Sequence, residues 1–192
     1  MRSVEKQTEL TKLRDTIAKC FDCSLGSSRI NTVPGEGNPD AEIMFIGEAP
    51  GATEDERGIP FCGRAGDFLN ELLGKIELKR EDVFITNTCK CRPPENRDPL
   101  PEEKVACRHF LDQQLQIIKP KIIVCLGKHS VETYLPGMGG IAKMHGKPFP
   151  APDGKVYLAL YHPAAALHNG GLRQTLINDF MIIPTLLKQI KK

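Results

Sequence analysis

Four short apolar runs punctuate the chain, over residues 42–47, 83–87, 121–126 and 156–161. Runs of this length, rich in Ile, Val, Phe and Leu and closed by turn formers, predict strands buried on both faces. Between them the pattern changes to the helical period. Residues 4–19 set Leu10, Leu13, Ile17 and Ala18 among charges at helical spacing, and residues 65–75 gather Phe68, Leu69, Leu72 and Leu73 on one face. A helix over 101–118 opens with Pro101, Glu102 and Glu103, residue types that suit a first turn. A short helix is expected over 128–135. A closing helix is expected over 172–191, kinked or broken at Pro184. Residues 24–40 and 136–155 read as irregular connections, and Pro93, Pro94 and Pro99 exclude regular structure between 92 and 99. Strands alternating with helices predict an α/β fold: a mostly parallel, four-stranded sheet covered on both faces, three layers in all.

The stretch 43–66 stands out within this pattern. Its apolar run ends at Gly47, and a Gly- and Pro-rich loop follows with four acids (Glu48, Glu54, Asp55, Glu56) and one aromatic, Phe61. Ligand sites of open α/β sheets lie beyond the carboxyl ends of strands, where this loop falls. The plain alternative is a surface loop with solvated acids.

Bulk numbers narrow the choice. A length of 192 residues suits one domain over 1–192, and 40% apolar with 26% charged residues is ordinary for a globular chain. The net charge of +2 excludes global attraction to a polyanion, so any nucleic-acid surface must be a local patch. No apolar run reaches membrane-span length and the first residues lack a signal peptide's core, so the expected location is cytoplasmic. Seven cysteines then favour metal binding or free thiols over a disulfide framework.

Cys20 and Cys23 form a C-x-x-C at a helix end, while Cys91 and Cys107 flank the proline-rich loop and the helix after it. A tight pair plus two distant cysteines can close a four-sulfur site for zinc or an iron–sulfur cluster. Cys125 lies in an apolar strand and reads as core, and Cys62 reads as packing. Cys89 shares strand parity with Cys91, and spacing does not choose between them.

Three strand ends carry distinct chemistry: Gly47-Glu48-Ala49-Pro50-Gly51 at the first, Asn87 at the second, and His162-Pro163-Ala164 at the fourth. In a parallel sheet these converge on one edge. The series G-E-A-P-G, E-D-x-x-G-x-P-F-x-G-x-A-G, I-T-N, K-C-R-P-P with a later Cys, and H-P-A resembles the type-4 uracil-DNA glycosylases. The resemblance runs from Cys20 to the last helix. Cys62 stands where valine is usual, and residues 165–171 replace a bulkier stretch. It implies the uracil-DNA glycosylase-like fold and a structural 4Fe–4S cluster on Cys20, Cys23, Cys91 and Cys107, with zinc as the lesser occupant. It also implies a monomer that excises uracil from single- or double-stranded DNA, associated with the nucleoid, and it names no other repair protein.

On that resemblance, Phe61 is the stacking platform for a flipped uracil. Asn87 reads O4 and N3–H, and the Gly47, Glu48 and Ala49 backbone lets the base approach. His162 donates to O2 as charge develops on the departing base, and Glu54 positions the water, with Glu48 as the other candidate. Lys90, Arg92, Arg97, His168 and Arg173 are the expected phosphate contacts, and Leu167 the wedge that fills the vacated stack. No lysine stands at a motif position for a Schiff base, so lyase activity is not expected. The rival readings are a non-catalytic binder of uracil-containing DNA, an iron–sulfur electron carrier, and a glycosylase for another base such as hypoxanthine.

Overall fold

The computed structural model describes residues 2–190, so the ends of the 1–192 span, including Lys191 of the expected closing helix, lie outside the described residues. The first half contains α1 (Ser3–Ala18), α2 (Leu25–Ser28), β1 (Glu36–Gly37), β2 (Ile43–Gly47), α3 (Ala52–Arg57), α4 (Arg64–Lys75) and β3 (Phe84–Asn87). The second half contains α5 (Pro101–Ile118), β4 (Ile122–Leu126), α6 (Lys128–Tyr134), α7 (Ile141–Met144), β5 (Lys147–Pro150) and β6 (Val156–Leu160). Three helices close it: α8 (Pro163–His168), α9 (Gly170–Phe180) and α10 (Ile183–Ile190).

The strands form one sheet in the order β1-β3-β2-β4-β6-β5. The four expected strands are its centre and run parallel, with Gly47 opposite Asn87 and Leu126 opposite Leu160. Their side chains alternate between two cores, as a strand's twofold period requires. Ile43, Phe45, Ile85, Val124, Leu158 and Leu160 face α4, α9 and α10, where Phe45 stacks on Phe180 at 5.8 Å. Met44, Ile46, Phe84, Ile123 and Cys125 face α5, α6 and α7. Both faces are therefore buried, which is why these strands lack polar alternation. Helix α1 packs on the outside of α5 through Leu13 and Ile17, which join Phe110 and three cysteines in a third cluster. Ala18, expected on that buried face, is exposed.

Three expectations need correction. The sheet has six strands rather than four, because β1 and β5 add antiparallel edges inside segments read as irregular. β1 is two residues long, and β5 carries Pro148 and Pro150; proline is tolerated only where a strand's outer side makes no ladder bonds. The loop after β2 contains a helical turn and a half, α3, closed by Gly58 in the left-handed region at φ 70°. The closing helix is two helices, and Pro184 lies in the first turn of α10, where a missing N–H costs nothing, rather than at a kink. Truncating Phe180 to alanine should cost about 3–5 kcal/mol of stability, read by urea denaturation, because it opens a cavity between α9 and the sheet. An unchanged midpoint contradicts this.

Candidate active site and cysteine lobe

The carboxyl ends of β2, β3 and β6 meet as expected, and the tightest point lies between Gly47, Asn87 and Phe61. A Cβ on Gly47 would stand 2.3 Å from Asn87 Oδ1 and 2.7 Å from Phe61 Cζ. Only glycine allows the strand, the amide and the ring to approach so closely. Asn87 is 2% exposed, and its Oδ1 is buried with no hydrogen-bond partner among the described residues. Leaving such an acceptor unpaired costs about 1–3 kcal/mol.

Asn87 is held from behind. Lys90 Nζ donates to the Asn87 carbonyl at 2.7 Å, to Thr86 Oγ1 at 2.6 Å and to Gln114 Oε1 at 2.8 Å. Lys90 is 1% exposed, and burial pulls its ammonium down to about 8 against the opposing pull of the Cys107, Cys89 and Cys91 thiols. This corrects the expectation that Lys90 meets DNA phosphates, since its head group lies inside the protein.

His162 follows β6 and stacks on Phe61 with ring centroids 5.3 Å apart. Its Nδ1 accepts from the Ala164 backbone N–H at 3.1 Å, the first N–H groups of α8 being free to cap. Burial pulls the imidazole down to about 4, opposed by the Glu54 carboxylate. The ring is thus neutral at physiological pH, with its proton on Nε2 and that N–H available as a donor. Gly127, at φ 88° after β4, lets His162 close on the sheet: a Cβ there would meet His162 Cβ at 3.0 Å.

The four acids of the loop have separate fates. Glu54 Oε1 accepts from Cys62 N at 3.0 Å and Gly63 N at 2.8 Å, tying α3 to the start of α4. Asp55, 1% exposed, accepts from the Ile30 and Asn31 amides at 3.0 and 3.2 Å. Glu56 is exposed. Glu48 lies with Asp98 around His129, whose Nε2 is 3.5 Å from Glu48 Oε2 and 3.0 Å from Asp98 Oδ2. Burial raises the Glu48 carboxyl, with His129 opposing. The Glu48 carbonyl accepts from Cys89 N, and Ala49 packs toward the cysteine cluster, so both residues present mainly backbone at the strand end.

Cys20, Cys23, Cys91 and Cys107 line one small cavity between α1, α2, the 88–92 segment and α5. Cys89 is fully buried in the same cluster but is not among the residues lining that cavity. No cysteine is in a disulfide among the described residues. Three N–H groups already point at the sulfurs: Arg29 Nη1 at 3.4 Å from Cys91, Lys90 N at 3.3 Å from Cys107 and Asp22 N at 3.5 Å from Cys20. Burial pushes the Cys91 thiol up to about 11, with Arg29 opposing, and raises Cys107 as well. Buried thiolates require a cationic partner, and an all-sulfur donor set suits zinc or an iron–sulfur cluster.

The expected DNA-facing residues are dispersed. Arg97 is committed to Glu103 through two hydrogen bonds of 2.9 and 2.7 Å, which hold the buried Glu103 carboxyl down at about 2. Arg92 bonds Asn96 Oδ1 at 2.8 Å. Arg173 pairs with Glu71 and covers the Phe68 ring at 4.3 Å, while His168 is exposed and Leu167 half-buried at the end of α8. A wide cleft of about 900 Å³ opens at the amino ends of β4 and β6, between residues such as Arg108, Tyr134 and Tyr157, and contains none of the expected site residues. Burial chemistry, not cleft size, marks the site.

The sequence reading did not single out Gly127, His129 or Arg80. Gly127 had a signal, a glycine closing an apolar strand; the other two act through contacts that only the fold creates. Replacing Gly47 by alanine should cost about 1–3 kcal/mol in urea denaturation, through overpacking against Asn87 and Phe61. An unchanged midpoint contradicts the packing described.

Comparison with known proteins agrees with this geometry. Residues 34–181 match the family model described as "Uracil DNA glycosylase superfamily". The chain is 47% identical over 185 residues to a type-4 uracil-DNA glycosylase of Sulfurisphaera tokodaii, covering 92% of this chain and 84% of the relative. It is 47% identical over 182 residues to one of Saccharolobus solfataricus (89% and 83% covered) and 44% identical over 181 residues to one of Archaeoglobus fulgidus (88% and 89%). With the whole sheet and its converging strand ends inside the matched region, this chain belongs to the uracil DNA glycosylase superfamily.

Proposed function

We propose that this protein excises uracil from DNA, hydrolysing the N-glycosidic bond and leaving an abasic site. The observation that carries the reading is the buried, unpartnered Oδ1 of Asn87 beside an aromatic ring and a glycine strand end. Uracil N3–H supplies the missing donor, and the amide's own N–H meets O4. Cytosine presents an acceptor at N3 and a donor at C4, and leaves both groups opposed. The target nucleotide must leave the duplex to reach these groups, and Phe61, 5% exposed and stacked on His162, is the ring on which the extruded base would stack.

As the bond to the sugar breaks, negative charge grows on the base. His162 Nε2–H is a preorganised donor for O2, and a neutral imidazole fits this role because Ala164 N–H already occupies Nδ1. The Glu54 carboxylate acts electrostatically on His162, and its Oε2, which stands over Gly51, is our choice to orient the attacking water. Arg92, His168 and Arg173 with the Leu167 wedge form the duplex-facing set, and the protein acts as a monomer in the cytoplasm, at the nucleoid. No helix among the described residues is long and apolar enough to cross a membrane.

Cys20, Cys23, Cys91 and Cys107 hold a 4Fe–4S cluster in this reading, and the cluster supplies a cross-link rather than a reaction step. These residues fasten α1 and α2 to the 88–92 segment, which directly follows Asn87. Cys91→Ser should therefore remove iron and the brown absorbance, while Cys89→Ser should retain both; the opposite pattern overturns the ligand assignment.

The function itself is tested with duplexes carrying U:G, U:A, T:G or hypoxanthine, followed by alkaline cleavage at abasic sites. Cleavage of both uracil duplexes is expected, and its absence overturns the proposal. His162 fixes the pH dependence. Its folded value of about 4 lies below the ordinary 6.5, so the imidazole stays neutral until pH falls through about 4. Single-turnover excision should be level from about pH 5 to 8 and fall below that range. An inflection near 6.5 contradicts the assignment.

A further inference from the structure

Phe61 occupies a conformation that its own sequence does not favour. Its φ of 48° lies in the left-handed region, which costs a non-glycine residue about 1–2 kcal/mol. A strained residue persists only where its surroundings over-determine it. The turn at 60–61 has two consecutive carbonyls to satisfy, and one side chain satisfies both. Arg80 Nη2 donates to the Pro60 carbonyl, and its Nη1 donates to the Phe61 carbonyl at 3.2 Å. The same guanidinium is fixed from its other side, where Nε donates to Glu36 Oε1 at 2.7 Å, and Nη1 also reaches Asn70 Oδ1 at 3.4 Å.

Arg80 begins the 3₁₀ turn Arg80–Asp82 ahead of β3, and Glu36 lies on the unexpected edge strand β1, which pairs with β3. The edge of the sheet thus supports a fork that grips the turn carrying the pocket's aromatic ring. The ring in turn lies against His162, Gly47 and Asn87. The planar, five-donor geometry of arginine can bond two carbonyls and a carboxylate together, whereas a lysine ammonium cannot span them.

We propose that Arg80, anchored by Glu36, is a positioning residue for base recognition: it holds the 60–61 turn so that the Phe61 ring presents its face to the extruded base. The inference rests on the reading of Phe61 as the stacking platform and adds the device that sets its orientation. It also gives β1 a use, since the two-residue strand carries the carboxylate that fixes the fork.

A double-mutant cycle on the full-length protein tests this, with single-turnover excision from a U:G duplex and inhibition by free uracil as readouts. Phe61→Ala should lower kcat/KM by about 10- to 100-fold through lost stacking. Arg80→Ala should lower it by a similar factor of about 10 to 100 through a misplaced ring. If Arg80 acts through Phe61, the double variant stays within about threefold of Phe61→Ala alone, because the second change has no ring left to misplace. Free uracil should inhibit Arg80→Ala as weakly as it inhibits Phe61→Ala. A merely structural role predicts the product of the two single losses instead. Multiplying losses, a wild-type rate for Arg80→Ala, or uracil inhibition of Arg80→Ala at the wild-type level each overturns the inference while leaving the stacking reading intact. A wild-type rate for Phe61→Ala removes the stacking reading and the inference together. If Arg80→Ala does not fold, Arg80→Lys replaces it in the cycle, with the same expected pattern and the same contradictions.

Discussion

A protein interior rarely keeps a carbonyl oxygen away from every donor, yet the site depends on one that it does keep: Asn87 Oδ1, at the end of β3. Relaxing the amide toward any nearby N–H would recover about 1–3 kcal/mol. The surroundings prevent it. Gly47 brings β2 close enough to confine the side chain, the Phe61 ring closes another side, and Lys90 fixes the backbone carbonyl of the same residue. Each restraint is itself costly, since one needs a glycine, one a left-handed phenylalanine and one a buried ammonium. Such costs concentrate where a ligand later offsets them.

The same 86–91 segment joins the two chemical centres. Asn87 lies buried beside Gly47, Lys90 reaches back to Asn87 through its ammonium and to Cys107 through its backbone N–H, and Cys91 lines the cysteine cavity. Cys91, which lines the cysteine cavity, thus follows Asn87 by only four positions. In the proposed function, a group held by the four cysteines would stiffen the segment that carries Asn87. Loss of the group would be felt first as lost selectivity and stability, not as a lost reaction step.

Much of the fold was legible because the central strands are buried on both faces and so read as unbroken apolar runs. The residues at their ends were legible as a convergence on one edge of the sheet, but an asparagine or a histidine before proline at a strand end has ordinary structural uses, and the roles read for Asn87 and His162 rest on the resemblance. The edge strands were not. β1 is too short to carry a pattern, and the prolines of β5 read as loop until pairing with β6 gives them an outer edge. Charge misled most. Lys90 reads as a surface cation but is buried by three acceptors, and Arg97 is held by Glu103. Among the loop acids, Asp55 caps backbone amides and Glu48 turns to His129, a partner 81 positions away in sequence that no local signal announces. The left-handed backbone of Phe61 was equally invisible, because nothing in the local sequence marks it and the groups bonded to that turn, Arg80 and through it Glu36, lie far along the chain.

In the proposed function Asn87 distinguishes uracil by accepting from N3–H and donating to O4. Asn87→Asp keeps the shape and removes the donor, so the most direct measurement is single-turnover base release by Asn87→Asp from matched uracil and cytosine duplexes. The account predicts that uracil release falls by about 100-fold or more, the loss of a buried charge-facing hydrogen bond, and that the preference for uracil over cytosine shrinks with it. Uracil release at the wild-type rate, with the preference intact, would contradict it.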